Sequence, residues 1–364
     1  MSLLNKAIKI RQEREEWERT HPEEAKKRKE EAERRRAEEE AKHEAEHLAE
    51  EKAKTKTEEP KQKAVKKAVA VQHIPISKST SKHTAKSATK PTKVEKTVEV
   101  EPLLTEKQGI YKYIPDLLVD KTTGENIIFA EDEYEGYGLT DHYTEDIMKE
   151  LIASKQLNYR VRKSIEHQKA RTKKNAEVFT PSWICDQMIT MCEPPEDWQE
   201  FVLSTWLEIT CGECPYLVNL YDSTTGEKVP IDKRIGVLDR KFRLINEHIV
   251  QKDFTNERSY KKKWIDTMYD AMRSTYGYEF QGDNLFIARV NVLRCFVENF
   301  YVKWNKMPPD ATIRKAIEII QWNLWQMDGL KDTVPFSDTP AKIIDWKLTN
   351  RNHTEVIEFR SCKD

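Results

Sequence analysis

The chain is 364 residues long, 34% charged and 38% hydrophobic, with 10 glycines, 15 prolines and a formal net charge of −1. That composition excludes a collagen-like or glycine-rich fibre, and no apolar run reaches the length of a membrane-spanning helix. Residues Met1 to Arg11 lack the apolar stretch of a secretory leader, and six cysteines in this length make no disulfide scaffold, so a cytoplasmic protein with reduced thiols and no membrane partner is expected.

Charge divides the chain into three. Residues 1–60 hold 16 Lys/Arg and 18 Asp/Glu, residues 61–100 hold 10 Lys and 2 Glu with no aromatic residue, and residues 101–364 hold 36 and 43. Every tryptophan but Trp17 lies after residue 180, so only the last part can bury a sizeable core. Three regions follow: a charged helical arm over 1–54, a basic disordered linker over 55–102 and a folded domain over 103–364.

In chain order, Leu3, Leu4, Ile8 and Ile10 anchor a short first helix. Thr20-His21-Pro22-Glu23-Glu24 reads as the start of a second, with proline and acids in the first turn. Its Ala, Glu, Lys and Arg favour helix, and pairs such as Glu24/Arg28 and Glu30/Arg34 support it. With only alanines and Leu48 as apolar residues, it reads as a single charged helix rather than a coiled coil. Residues 55–102, rich in Lys, Ser and Thr with scattered prolines, read as a soluble tether whose positive charge, +8 over residues 61–100, also suits nucleic acid.

In the folded part, 116–120 reads as an extended segment ending in a turn at Gly124. Residues 140–172 read as helix, with a basic run (Arg160, Arg162, Lys163, Lys169, Arg171, Lys173, Lys174) that suits phosphate or a solvated face. Trp183 to Cys192 is helical, and 206–212 is a buried strand entering a tight turn, with 215–221 continuing as helix. Ser259 to Thr275 is helical, Tyr276 to Phe280 a strand, and Asp283-Asn284 opens a helix reaching Trp304. Residues 311–320 are helical and lead into a third strand candidate ending at Asp328, while 226–256 reads as an insertion. Glu208, Glu279 and Asp328 thus close three successive strands. A strand, a tight turn and a helix form the ligand-binding corner of α/β folds, and an acid at a strand end suits ribose hydroxyls.

The stretches Glu177-Val-Phe-Thr-Pro181, Glu208-Ile-Thr-Cys-Gly212, Tyr276-Gly-Tyr-Glu279 with Asp283-Asn284, and Asn323-Leu-Trp-Gln-Met-Asp328 resemble the amino-methylating adenine DNA methyltransferases of restriction–modification systems. The resemblance spans roughly residues 105–347 and is nearest to chains called restriction endonuclease subunit M of bacteria and phages. It implies an α/β fold: a Rossmann-like methyltransferase sheet flanked by helices, with S-adenosylmethionine as cofactor. Phe179, Thr180 and Pro181 then lie over the methionine part of the cofactor. The turn holding Glu208, Cys211 and Gly212 cradles its methionine end, Glu279 takes the ribose, and Asp328 lies near the adenine amino group. DNA is the implied partner, with a separate specificity or restriction subunit.

Three departures stand out. Cys214 occupies a position where the family has a second glycine, and Glu213 adds negative charge beside a carboxylate-bearing cofactor. The family's Asn-Pro-Pro-Tyr/Phe, which grips the target adenine, has no counterpart after Asp328. Asp345 and Trp346 are the candidates left to supply an acceptor and an aromatic face. Cys211-x-x-Cys214 has no second pair at metal-binding spacing, and no metal is expected. Two readings follow: an adenine DNA methyltransferase, or a methyltransferase-like protein without transfer activity that binds DNA, a subunit or a phage component. Because residues 101–364 carry −7, DNA affinity falls to the basic linker. Deleting residues 1–100 is therefore expected to weaken DNA binding more than cofactor binding. Titration of both ligands against the full and shortened chains checks this, and equal loss of both, or of neither, removes the tether.

Overall fold

A computed structural model describes residues 19–20, 111–175, 180–192, 194–346 and 354–362. The chain divides into two units, Met1–Lys96 and Thr97–Asp364. In the first, Arg19 and Thr20 are helical, and the rest of the expected arm and linker lies outside the described residues. Among the described residues no helix is long and apolar enough to cross a membrane.

The second unit is built on three adjacent parallel strands, β1 (Trp206–Glu208), β2 (Thr275–Glu279) and β3 (Leu324–Gln326), in that order. Glu208 is level with Gly277, and Glu279 with Gln326. Parallel neighbours require crossovers. Among the described residues of this unit, five α-helices precede β1: α1 (Ile114–Leu118), α2 (Glu145–Ala153), α3 (Ile165–Asn175), α4 (Ser182–Met191) and α5 (Trp198–Leu203). The first crossover carries α6 (Val237–His248) and α7 (Glu257–Arg273), and the second carries α8 (Gly282–Trp304) and α9 (Asp310–Asn323). An antiparallel pair follows, β4 (Lys342–Asp345) with β5 (Glu355–Glu358).

Alternation along the strands sorts side chains to two faces. Leu207, Tyr276, Tyr278 and Trp325 pack with Ile343 and Phe359, so the β4–β5 pair covers one face. Leu324 belongs to the main core with the apolar residues of α1, α2 and α6 to α9. This is a mixed α/β arrangement with a small parallel sheet. The helices start where local chemistry allows: the side chains of Thr144, Asp197 and Asn256 accept the backbone N–H of Ile147, Glu200 and Ser259.

The helix α8 is buried along its length from Gly282 to Phe300. Its Arg289 is sealed in the core, donating from Nε to the Leu324 carbonyl at 2.9 Å and from NH1 to those of Leu117 and Val119 at 2.7 and 2.9 Å. Burial lowers its pKa to about 10, opposed by the nearby Asp120. One guanidinium thus binds β3 to the end of α1.

Several expectations are corrected. Residues 114–118 form a short helix with a proline in its first turn, and extended backbone begins only at Val119, bridged to Asn126. The helix expected over 140–172 is broken into α2, a 3-10 turn at Arg160–Arg162 and α3. Residues 215–221 are turns rather than helix. The expected insertion is no appendage, because α6 buries Val237, Leu238, Phe242 and Ile245. The basic run is split: Arg160 and Arg171 are buried and the Lys163 side chain is 6% exposed, whereas Arg162, Lys169 and Lys173 face solvent.

Gly282 fixes how closely residues 128–143 approach the start of α8. Its N–H donates to the Phe129 carbonyl at 2.9 Å, and a Cβ there would stand 2.1 Å from the Ile128 carbonyl oxygen. That oxygen is backbone and cannot swing away. Gly282→Ala is expected to destabilise by about 1–3 kcal/mol, the usual range for overpacking, read as a lower urea midpoint at unchanged slope.

Candidate functional site

The three strands end at one edge, where Glu208, Glu279 and Asp328 emerge. Glu279 organises it. Its Oε2 accepts the Gly212 N–H at 2.7 Å, and its Oε1 accepts those of Phe280 and Gln281 at 2.9 and 3.1 Å. The Cys211 N–H donates to the Tyr278 carbonyl at 2.8 Å. The turn after β1 is thereby bound to the end of β2.

That turn has left-handed backbone at alternate residues: Thr210 (φ 49°), Gly212 (φ 53°) and Cys214 (φ 59°). For Thr210 and Cys214 this is uncommon and costs of order 1 kcal/mol or more each. Cys214 thus adopts a backbone conformation usual for glycine. Its side chain turns into the core, with Sγ 3.6 Å from the Ala288 carbonyl. Cys211 is likewise buried, and burial raises both thiols, which stay neutral. A Cβ on Gly212 would meet nothing within 4 Å, so the outer side of the turn is open. Glu213 does not charge it: this buried residue accepts the Arg160 N–H at 2.8 Å and the Tyr221 hydroxyl.

Glu208 is unlike its neighbours. Its Oε1 takes a long hydrogen bond, 3.4 Å, from the Tyr216 N–H. Its Oε2 is shut off from solvent and has no hydrogen-bond partner among the described residues. Burial pushes the carboxyl well above the ordinary range; the N–H groups of Tyr216 and Leu217 oppose this, and the charge of Glu279 adds to it. Burial also pushes Cys185 up to about 12, with Glu208 adding to it. Tyr216 lies among Thr180, Cys185 and Glu208.

Thr180 and Pro181 are brought to this side. The Thr180 carbonyl accepts the Ser223 hydroxyl at 2.9 Å, and Ser182 Oγ accepts from Asn219 Nδ2 at 3.3 Å. Phe179 lies outside the described residues. Asp328 is half-buried and closes its own loop: Oδ1 accepts the N–H of Leu330 and Lys331 at 2.9 and 3.3 Å. Asp345 and Trp346 are not brought to this edge. Trp346 Nε1 donates to Asn323 Oδ1 at 2.7 Å, and Asn323 Nδ2 donates to the Thr275 carbonyl at 2.9 Å. Both residues thus sit at the amino ends of the strands.

One cluster went unread in the sequence. Arg171 NH1 donates to Glu131 at 3.1 Å, to Asp283 at 2.8 Å and to Glu133, while NH2 donates to Gln281 at 2.9 Å. Lys163 adds ion pairs to Glu133 and Asp283 at 3.4 and 3.6 Å. Oxygens of the three acids lie within 4.8 Å of one another, the one such grouping among the described residues. Burial alone would raise Asp283, but Arg171 and Lys163 hold it down at about 2. Burial and Asp283 push Glu131 well up. The acid pair at 131 and 133 and the acid four residues past β2 were the available signal.

Glu208 carries a pH signature. Its proton is retained in the fold but released by the unfolded chain above about pH 4.3, so stability falls as pH rises from there towards the raised folded value. Glu208→Gln, which mimics the protonated form, is expected to be more stable than wild type at pH 7–8 and equal to it near pH 4, read from thermal midpoints across pH. No family model, curated protein or solved structure matches the chain, so the reading of this edge rests on its own residues.

Proposed function

We propose that the carboxyl edge of the sheet binds S-adenosylmethionine, in a Rossmann-like setting, and that the chain is a methyltransferase-like protein acting on adenine in DNA with a specificity or restriction subunit as partner. The observation that carries this reading is the Glu279 carboxylate, which joins the end of β2 to the left-handed turn at Gly212. Two features fit the cofactor. The space over Gly212 admits a ligand against bare backbone. The Glu208 Oε2 is buried with no hydrogen-bond partner among the described residues, and a bound ammonium group, by meeting that oxygen, would draw the carboxyl back to its ionised form. On this reading Glu208, Cys211, Gly212, Thr180 and Pro181 surround the methionine end. Glu279 faces the ribose, and Asp328 lies on the adenine side. The cofactor, when bound, supplies the electrophilic methyl group. The chain's part is to orient it and keep water from it.

A second reading, binding without transfer, is favoured by one observation: Asp345 and Trp346 stand at the other ends of the strands. Calorimetry with S-adenosylmethionine tests the first step. Wild type is expected to bind, and Glu208→Gln to weaken binding roughly ten- to hundredfold, the worth of a charge-assisted hydrogen bond. Glu279→Ala, which strips three amides of their acceptor, is expected to lose binding and stability together. No binding by wild type at millimolar cofactor ends the reading. Where binding is found, labelled-methyl transfer to unmodified DNA separates the enzyme from the binding protein.

A further inference from the structure

The loop after β3 holds an aromatic residue in a costly position. Phe336 has a left-handed backbone, φ 59°, a conformation usual for glycine and asparagine and an outlier for a bulky side chain. Burial does not offset it, since Phe336 is 50% exposed. The turn around it is firmly made. The Val334 N–H donates to the Thr339 carbonyl at 2.9 Å, and the Thr339 N–H to Ser337 Oγ at 3.1 Å. The ring stands edge-to-face with Phe280, centroids 5.4 Å apart at 73°. Phe280 follows Glu279 directly and donates its N–H to that carboxylate.

A half-exposed ring fixed beside the organising acid has the form of a stacking surface. It offers a flat π-face and no polar atom, so it selects for planar rings rather than for particular hydrogen bonds. We propose that Phe336 is the stacking platform for a purine ring delivered to the Glu279 end of the sheet, either the base of a bound nucleoside cofactor or an adenine of a nucleic-acid strand. This rests on the reading of that edge as a nucleoside site.

The test uses the full chain and two probes: S-adenosylmethionine by calorimetry, and a single-stranded oligodeoxynucleotide carrying one 2-aminopurine by fluorescence. Phe336→Gly removes the ring and suits the left-handed backbone. It is expected to leave the thermal midpoint unchanged or raised and to weaken one probe about tenfold or more. Phe336→Trp is expected to restore it. Loss confined to S-adenosylmethionine assigns the ring to the cofactor base, and loss confined to the oligonucleotide assigns it to the strand. The proposal is overturned if Phe336→Gly binds both probes as wild type does. It is equally overturned if Leu330→Ala, at the 87% exposed residue of the same loop, weakens them as much. A wild type that binds the oligonucleotide but not S-adenosylmethionine ends the cofactor reading while the strand arm still decides the role of Phe336. A wild type that binds neither ends both.

Discussion

The candidate site depends on one carboxylate. Glu279 ends β2 and accepts three backbone N–H groups, one from the turn after β1 and two from the residues leading into α8. Hydrogen bonds to a charged group are worth about 1.5–3 kcal/mol each, and together they offset the cost of burying the charge. They also hold Gly212, between the strained Thr210 and Cys214, in place. Without that acceptor, three amides at the mouth of the sheet would have to find water, and the turn would lose its reason to stay left-handed at alternate residues.

The acids around the edge divide into those whose oxygens are met by partners and one with an oxygen that is not. Asp283, sealed in the protein, is held ionised by Arg171 and Lys163, and Glu131 beside it, pushed up by burial and by Asp283, is met by Arg171 and the Tyr143 hydroxyl. Glu213 is occupied by the Arg160 amide and the Tyr221 hydroxyl. Glu208 has one long hydrogen bond and an oxygen that meets neither solvent nor donor. Satisfied acids explain architecture, because they bind α3 to the start of α8 and the loops to one another. An unsatisfied one is a standing cost that a bound cation or donor removes, which separates Glu208 from the acids that only build the fold.

Much of the architecture is legible in local chemistry. The strand at 275–279 and the long helix to Trp304 follow from apolar patterning, whereas the buried strand read over 206–212 is three half-buried residues, 206–208, followed by an exposed Ile209. The errors have physical causes. The run Asp116-Leu-Leu-Val-Asp120 is too short for periodicity to separate strand from helix, and Pro115 in the first turn decides for helix. The basic run from Arg160 resembles a solvated face until the acids at 131, 133 and 283 are folded against it. Those partners lie up to 120 residues away in the chain, as Asp283 does from Lys163, and no local signal carries their approach.

The same limit governs Asp345 and Trp346. Distance along the chain after Asp328 suited a catalytic role, but in parallel strands what matters is which end a residue follows. A residue just past a strand of the central sheet stands at the carboxyl edge. One past β4 belongs to a different sheet, and Trp346 is drawn by Asn323 to the amino ends. Chemistry built around Glu279 must therefore draw on the segments that do emerge there: the turn at 209–214, Phe280, the start of α4 and the loop at 328–340. Of these, the last two present exposed aromatic rings, Trp183 and Phe336. Only Phe336 is held beside the acid by a ring contact to Phe280, and sheet polarity rather than sequence spacing brings it into reach.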